Sequence, residues 1–269
     1  IRDMILHEHA MSSYAQKVRI MLREKGIAFE TRTPEGIGSG FGIEAFAEIS
    51  PRMEVPALET PEGVLFDSSI ILEYLEETYP EPAMMPARPI DRARMRAIEE
   101  ICDTIYEAIN WGFIEVRYCG RGGDELGPRL YAEGGRQIAQ LNEWLEAELG
   151  DSPWMTGEQF GWGDIVTLPF VATAALLGFP PRAGSRLEAW LKRGLERPSF
   201  APTFAEAEAT LPQIELLLAA VSSGQFRRQY RDHRLEWMIR SGGIDVLLDG
   251  LAKDNIRFTN LDVLTRRRR

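Results

Sequence analysis

Three short stretches carry side chains suited to chemistry: Ser12-Ser13-Tyr14, Val55-Pro56 with Glu54 before it, and Asp67-Ser68-Ser69. Ser12 stands just ahead of a helical pattern. A hydroxyl there either caps the helix or joins its N–H end in donating to a thiolate, which lowers a thiol pKa toward neutrality. Asp67-Ser68 sits at a strand-to-helix junction and carries the same double meaning. It is a cap, or it grips the zwitterionic end of an amino acid, with the helix start taking the carboxylate and the acid taking the ammonium. Pro56 lacks a backbone donor and belongs at a strand's first position. Val55 before it is either a plain strand entrance or a backbone edge offered to a peptide-like ligand.

These groups act together only if the fold brings them to one place. "MILHEH" (4–9) reads as a strand. "AQKVRIMLREK" (15–25) sets Val18, Met21, Leu22 and Lys25 at helical spacing, and Gly26 ends that helix. "IAFETRT" (27–33) alternates as a strand does. Residues 34–42 hold four glycines without a phosphate-loop signature, and 43–49 suit a short helix. Residues 55–67 read as two strands around the turn "TPEG", and 68–79 as a helix with Ile71, Leu72 and Leu75 on one side. The order predicts a small α/β domain with a mixed sheet over residues 1–80.

Four prolines within "YPEPAMMPARP" (79–89) mark a linker. Beyond it the pattern is helical, with segments at 92–118 (one long helix or a bent pair), 129–150, 164–177, 185–198 and 204–221. Pro169 and Pro212 are expected at helix starts or kinks. This predicts an all-helical bundle over 90–222. Residues 223–269 form a further extension with amphipathic spacing. From residue 226 onward it carries eleven basic against six acidic residues and ends in four arginines expected to be disordered. The fold class is therefore α/β plus all-α, with an extra helical tail.

The net charge of −10 argues against nucleic acid as a partner. Cys102 and Cys119 lack metal-ligand spacing, so no metal is expected and both read as reduced thiols. The longest apolar run, 165–179, is too short for a membrane span and contains Pro169. A cytoplasmic location is the expectation.

Taken in order, the Ser-rich helix start, the Val-Pro, the acid-Ser helix start, the linker and the helical domain resemble the glutathione transferase superfamily over residues 4–215. The resemblance implies a thioredoxin-like first domain, a helical second domain, a homodimer, and glutathione as co-substrate. It is most similar to serine-type members with a zeta- or theta-like motif. In these a Ser six residues before the Val of the first helix contacts the glutathione sulfur; here that residue is Ser12, with Ser13 as its backup or as the actual cap. Val55 would pair with the cysteinyl backbone, with Pro56 cis. Asp67 and Ser68 would bind the γ-glutamyl amine and carboxylate. Asp164 in "FGWGDIVTLP" would close a helix start.

The departures from the pattern are specific. "SPRMEVP" replaces the usual "NPxGxVP", so Met53 stands in place of glycine. Glu54 occupies the glutathione-binding segment where Gln or Lys is common. A carboxylate there opposes an anionic tripeptide unless an arginine neutralises it, with Arg52 and Arg19 as candidates. Gly161 replaces a Ser/Thr cap, at an expected cost of about a few tenths of a kcal/mol. Ser13-Tyr14 replaces a Ser-Cys pair, and without a nucleophilic cysteine thiol exchange is disfavoured.

The chemistry implied is attack of a Ser-stabilised thiolate on a hydrophobic electrophile, by conjugation, ether cleavage or dehalogenation, in the manner of a detoxification enzyme. Tyr14, Tyr106, Asn110, Trp111, Phe113 and Tyr118 are the candidate substrate-binding residues and suggest an aromatic substrate. Any single one of those on the long helix reads more simply as bundle core, and only the set as a group balances the two readings. Tyr230, Trp237 and Met238 of the tail would cap the pocket or extend a dimer interface. The alternative is a non-catalytic interaction module of the same fold, as in bacterial cell division, motivated by Met53, Glu54 and the basic tail.

Overall fold

Strand β1 (Met4–His7) sends Met4 and Leu6 into the core and pairs with two neighbours of opposite sense. β2 (Phe29–Arg32) lies parallel to it, from Met4 beside Phe29 to His7 beside Arg32. β3 (Ala57–Thr60) runs antiparallel on the other side, with Leu6 beside Leu58 and His7 beside Ala57. β4 (Gly63–Phe66) returns along β3 with Phe66 beside Ala57. The sheet order is β2-β1-β3-β4, the expected mixed sheet. The computed structural model describes residues 4–39, 41–214, 217–226, 228–258 and 261–265. The four terminal arginines lie outside these.

A parallel pair needs a crossover, and α1 (Ser13–Glu24) supplies it. It starts two residues before the expected position because Ser12 is a true cap, and it ends at Lys25 and Gly26, whose φ of +63° suits glycine. α1 is buried nearly all round. Val18, Met21 and Leu22 join the core, while the buried Gln16, Lys17 and Arg19 reach partners through Gln16 Nε2 to the Ala10 carbonyl, Lys17 Nζ to Glu99 and Arg19 Nη2 to Glu8. It packs against α2 (Ser68–Thr78) within its own domain and against three helices of the second.

The proline-rich linker is packed rather than loose. Met84 and Met85 are buried, and their backbone N–H groups donate to Glu76 Oε1 at 2.9 and 2.8 Å. The next pattern resolves as the bent pair: α3 (Pro89–Ile101), a π-helical turn (Cys102–Tyr106) and α4 (Glu107–Arg117). α5 (Gly123–Leu149) follows, six residues longer at its start than its hydrophobic pattern predicted. Its Gly134 lets α4 approach closely, since a Cβ there would lie 2.5 Å from Phe113 Cε1.

α6 (Trp162–Ile165) and α7 (Leu168–Leu176) form the buried centre of the bundle, and Pro169 stands in the first turn of α7. Asp164 accepts from the N–H groups of Met155 at 2.7 Å and Gly161 at 3.0 Å, and from Trp190 Nε1 at 2.7 Å. Gly161 is dictated by space, because a Cβ there would come 2.5 Å from the Met84 carbonyl oxygen. The missing hydroxyl cap is therefore a packing requirement more than a lost hydrogen bond.

α8 (Arg186–Leu195), α9 (Ala201–Glu208), α10 (Leu211–Ile214) and α11 (Leu217–Ser222) complete the bundle, with Pro212 in the first turn of α10. The extension carries α12 (His233–Arg240), α13 (Ile244–Ala252) and α14 (Leu261–Leu264). Trp237 is 66% exposed, so it caps no pocket within this chain. No described helix is long and apolar enough to cross a membrane.

Candidate active site

Strand register sets the chain segments that lead to the three sequence motifs at one end of the sheet's strands. Phe66, Ala57 and His7 lie side by side across β4, β3 and β1. Asp67 follows Phe66, Val55-Pro56 precedes Ala57, and the loop to Ser12 follows His7. The Val55–Pro56 peptide is cis. Val55 packs on the small cluster of Ile43, Phe46 and Ala57.

Ser12 has extended backbone angles, and its Oγ accepts from the Ala15 N–H at 3.3 Å. Its own N–H donates to the His9 carbonyl at 2.8 Å, and its carbonyl accepts from Gln16. A hydroxyl has one proton and two lone pairs. Capping uses a lone pair, and among the described residues the Ser12 O–H has no acceptor. The cap and a proton donor toward an incoming anion are thus the same hydroxyl. Ser13, the first helical residue, is buried.

Asp67 caps α2 in the same fashion, accepting from the N–H groups of Ser69 at 3.0 Å and Ile70 at 3.4 Å. Its φ of 74° is a costly backbone state for a residue with a Cβ. Its second oxygen lies 3.5 Å from Arg52 Nη1. Ser68 is buried beside it. Met53 also has a positive φ, 54°, which is why glycine is the easier residue at that position.

The arginine that neutralises Glu54 is neither of the two expected. Arg52 is drawn to Asp67, and Arg19 pairs with Glu8 and Glu206. Arg231, from the extension, pairs with Glu54, and Gln229 Nε2 donates to the same carboxylate at 3.1 Å. The Arg231 guanidinium also lies 5.3 Å from the centre of the Tyr14 ring. The Tyr14 hydroxyl donates to the Asp103 carbonyl, so Tyr14 bridges the domains. Burial, and after it Glu107, pushes that phenol far above its ordinary range, so it stays protonated.

Behind Tyr14 lies a buried ionic network. Lys17 Nζ donates to Glu99 Oε1 at 3.0 Å and to Asp103 Oδ2 at 2.7 Å. Ser69 Oγ donates to Glu99 at 2.6 Å, and Trp162 Nε1 donates to its other oxygen at 2.9 Å. Burial opposes the Lys17 charge, but Asp103 and Glu99 outweigh it and hold its pKa above the ordinary value. Burial, reinforced by Glu99, pushes Asp103 up to about 6 despite Lys17. Sequence reasoning missed this network. Its only sequence signal is a lysine inside an otherwise buried helix stripe.

The candidate substrate residues divide by helix phase. Tyr106, Asn110 and Phe113, spaced i, i+4, i+7, face the core and are buried there. The Tyr106 hydroxyl donates to Asn142 Oδ1 at 2.8 Å, and Asn110 Nδ2 donates to the Phe170 carbonyl at 3.0 Å. Phe113 stacks on Phe179 with centroids 4.3 Å apart. Trp111 and Tyr118 lie on the other face and are half-buried. Trp111 meets Tyr230 edge to face at 4.4 Å. Glu107 and Glu115 share this face, and the 3.6-residue period alone separates the two sets.

Both cysteines are buried, and burial raises both thiols above their ordinary pKa, so neither is a ready nucleophile. Among the described residues no group of three or more His, Cys, Asp or Glu could hold a metal ion. A shallow surface recess lined by Arg23, Glu24, Arg197, Pro198 and Ser199 lies at the far end of α1 from Ser12, with Arg197 and Glu24 paired in its wall.

Comparison with known proteins agrees with this architecture. The family model described as glutathione S-transferase, N-terminal domain matches residues 6–83, and the corresponding C-terminal domain matches 128–193. A maleylacetoacetate isomerase of Pseudomonas aeruginosa is 31% identical over 212 residues, covering 76% of this chain and 95% of that protein. A stringent starvation protein A homolog of Coxiella burnetii is 28% identical over 216 residues, covering 79% and 96%. The solved structure of a glutathione S-transferase from Methylobacterium radiotolerans, in complex with glutathione sulfonate, aligns with a TM-score of 0.62 at 30% identity. It covers 75% of this chain and 94% of its own. With both halves of the fold matched and a relative at 31% identity covering three quarters of its length, the chain belongs to the glutathione transferase superfamily.

Proposed function

We propose that the protein is a glutathione transferase in which Ser12 stabilises the glutathione thiolate for attack on a hydrophobic, aromatic electrophile. The observation that carries this reading is the Ser12 hydroxyl: it caps α1 through a lone pair and keeps its proton for an anion. Lowering a thiol from its ordinary pKa to neutrality takes about two units, or roughly 2.7 kcal/mol. One charge-assisted hydrogen bond and a helix N-terminus supply that much. Val55 reads the cysteinyl backbone, and Asp67 with Ser68 takes the γ-glutamyl end. Ser13 backs the helix start. The thiolate attacks by conjugation, ether cleavage or dehalogenation. Trp111, Tyr118 and Tyr14 wall the electrophile side, and the Trp111–Tyr230 contact favours an aromatic guest.

In this reading residues 1–80 bind glutathione, 90–222 form the helical domain, and 223–269 form an extension that reaches back over the cleft. The protein works as a cytoplasmic homodimer in detoxification. The deciding experiment measures thiol conjugation to 1-chloro-2,4-dinitrobenzene and the pKa of bound glutathione in wild type and Ser12→Ala. The expected result is a rise in the thiol pKa and a loss of roughly a hundredfold in kcat/KM, in line with losing one donor to a developing anion. Unchanged turnover would remove Ser12 from the chemistry.

A second reading is an interaction module without turnover, such as one serving bacterial cell division. The observation favouring it is Arg231, which lies over Tyr14 and on Glu54 at the mouth of the cleft. Retention on immobilised glutathione with measurable turnover decides for the enzyme. Absence of both decides for the module.

A further inference from the structure

Residues 228–231 run between the two domains with side chains bonded alternately to one and the other. Arg228 pairs with Glu115 on α4, and the Tyr230 hydroxyl donates to the other Glu115 oxygen at 3.0 Å. Gln229 and Arg231, between and beyond them, take the two oxygens of Glu54 on the first domain. The period of two is that of non-helical, extended chain. Each stitch ends on a carboxylate, so this part of the basic extension is matched to acidic groups already at the cleft.

Glu54 immediately precedes Val55, the backbone edge that faces a peptide-like ligand in the reading above. Glutathione carries two carboxylates and one ammonium, so it arrives with a net negative charge. A bare carboxylate at this position repels it, and among the described residues no arginine of the first domain is paired with it: Arg52 serves Asp67 and Arg19 serves Glu8 and Glu206. We propose that Arg231, seated with Gln229 on Glu54, is the charge-compensating residue that admits an anionic peptide to this site, so that the C-terminal extension is part of the glutathione-specificity machinery. The proposal rests on the glutathione reading of the cleft.

Other groups around the guanidinium fit this role. The Tyr14 ring flanks it with its centre 5.3 Å away, and the negative charge of Glu107 on the second domain favours the cation, while the guanidinium keeps part of its surface in solvent. Arg231 acts through Glu54 and touches neither the sulfur nor the electrophile; it is a positioning and specificity residue.

The test is a double-mutant cycle read by calorimetric titration of reduced glutathione into wild type, Arg231→Gln, Glu54→Gln and the double variant. Arg231→Gln should bind about tenfold more weakly, the size expected for one uncompensated like charge near the ligand. That deficit should shrink as salt is raised, which a purely structural loss does not do. The double variant should return to within about twofold of Glu54→Gln. Equal or tighter binding by Arg231→Gln would overturn the proposal and make residue 231 a bystander or a plug. A double variant as weak as Arg231→Gln would overturn it as well. A wild type that holds no glutathione refutes the glutathione reading instead. The stitch is then read without ligand from Trp111 emission, because Tyr230 lies against that ring: an equal shift in Arg231→Gln and Glu54→Gln supports the pairing, and no shift in either overturns it.

Discussion

The Lys17 ammonium lies 2.7 Å from Asp103 Oδ2 with no exposed surface of its own. This contact ties the first helix of one domain to the π-helical turn of the other. Beside it, Asp103 offers its backbone carbonyl to Tyr14 and Glu99 accepts from Ser69, so the network stands directly behind the candidate site.

Removing the cation leaves two buried carboxylates facing each other. Lys17→Met should therefore lose about 3 kcal/mol of unfolding free energy, within the range for breaking a buried ion pair from one side. Urea unfolding followed by circular dichroism measures it. A loss below about 1 kcal/mol would show that the pair is replaceable by apolar packing.

Asp103 gives the network a pH dependence with a definite sign. Its folded pKa, about 6, lies above the ordinary carboxyl value, so the folded chain binds this proton more tightly than the unfolded chain. Its contribution to stability therefore grows as pH falls through about 6 and levels off near the unfolded value of about 4. The stability of wild type relative to Asp103→Asn should rise between pH 7 and pH 5. A flat difference across that window would contradict the burial of an ionised Asp103.

Capping and chemistry at Ser12 are separable by charge. Ser12→Ala loses both and should cost about 1 kcal/mol of stability along with turnover. Ser12→Asp restores the cap, because a carboxylate accepts from the Ala15 N–H, but it cannot donate to a thiolate and repels one. It should unfold like wild type and remain inactive. Activity in Ser12→Asp would reduce the serine to a cap.

The two faces of α4 should respond differently. Tyr106→Phe leaves Asn142 Oδ1 without its donor and should cost about 1–2 kcal/mol of stability with KM unchanged. Trp111→Ala should leave stability nearly intact and raise KM for an aromatic electrophile about three- to tenfold, the worth of a lost aromatic contact. Steady-state kinetics and thermal melts on both variants distinguish the pattern. A reversed pattern would place the substrate wall elsewhere.

Local pattern was enough for the first domain because its cues are short-range. Alternation in the stretch that becomes β2, the Ser12 cap, Gly26 after α1 and the turn "TPEG" each act within a few residues, and the observed elements follow them closely. The motif order Ser12, Val55-Pro56, Asp67-Ser68 was legible for the same reason, since each is a strand or helix end. The phase of α4 was legible too. Spacing alone separates Tyr106, Asn110 and Phe113 from Trp111 and Tyr118.

Tertiary structure decided what depends on partners distant in sequence. Lys17 meets Asp103 across 86 residues and Glu54 meets Arg231 across 177. No local period or propensity encodes which carboxylate a given arginine reaches. Arg52 is nearer to Glu54 in sequence than Arg231 is, yet the hairpin turns it to Asp67. Gly161 read as a missing cap until the Met84 carbonyl was seen to occupy the space a side chain needs. The sequence by itself determined the elements, their order and the residues able to do chemistry. The folded chain alone decided which of those residues share a cleft and which are core, because burial and charge pairing are properties of surfaces brought together.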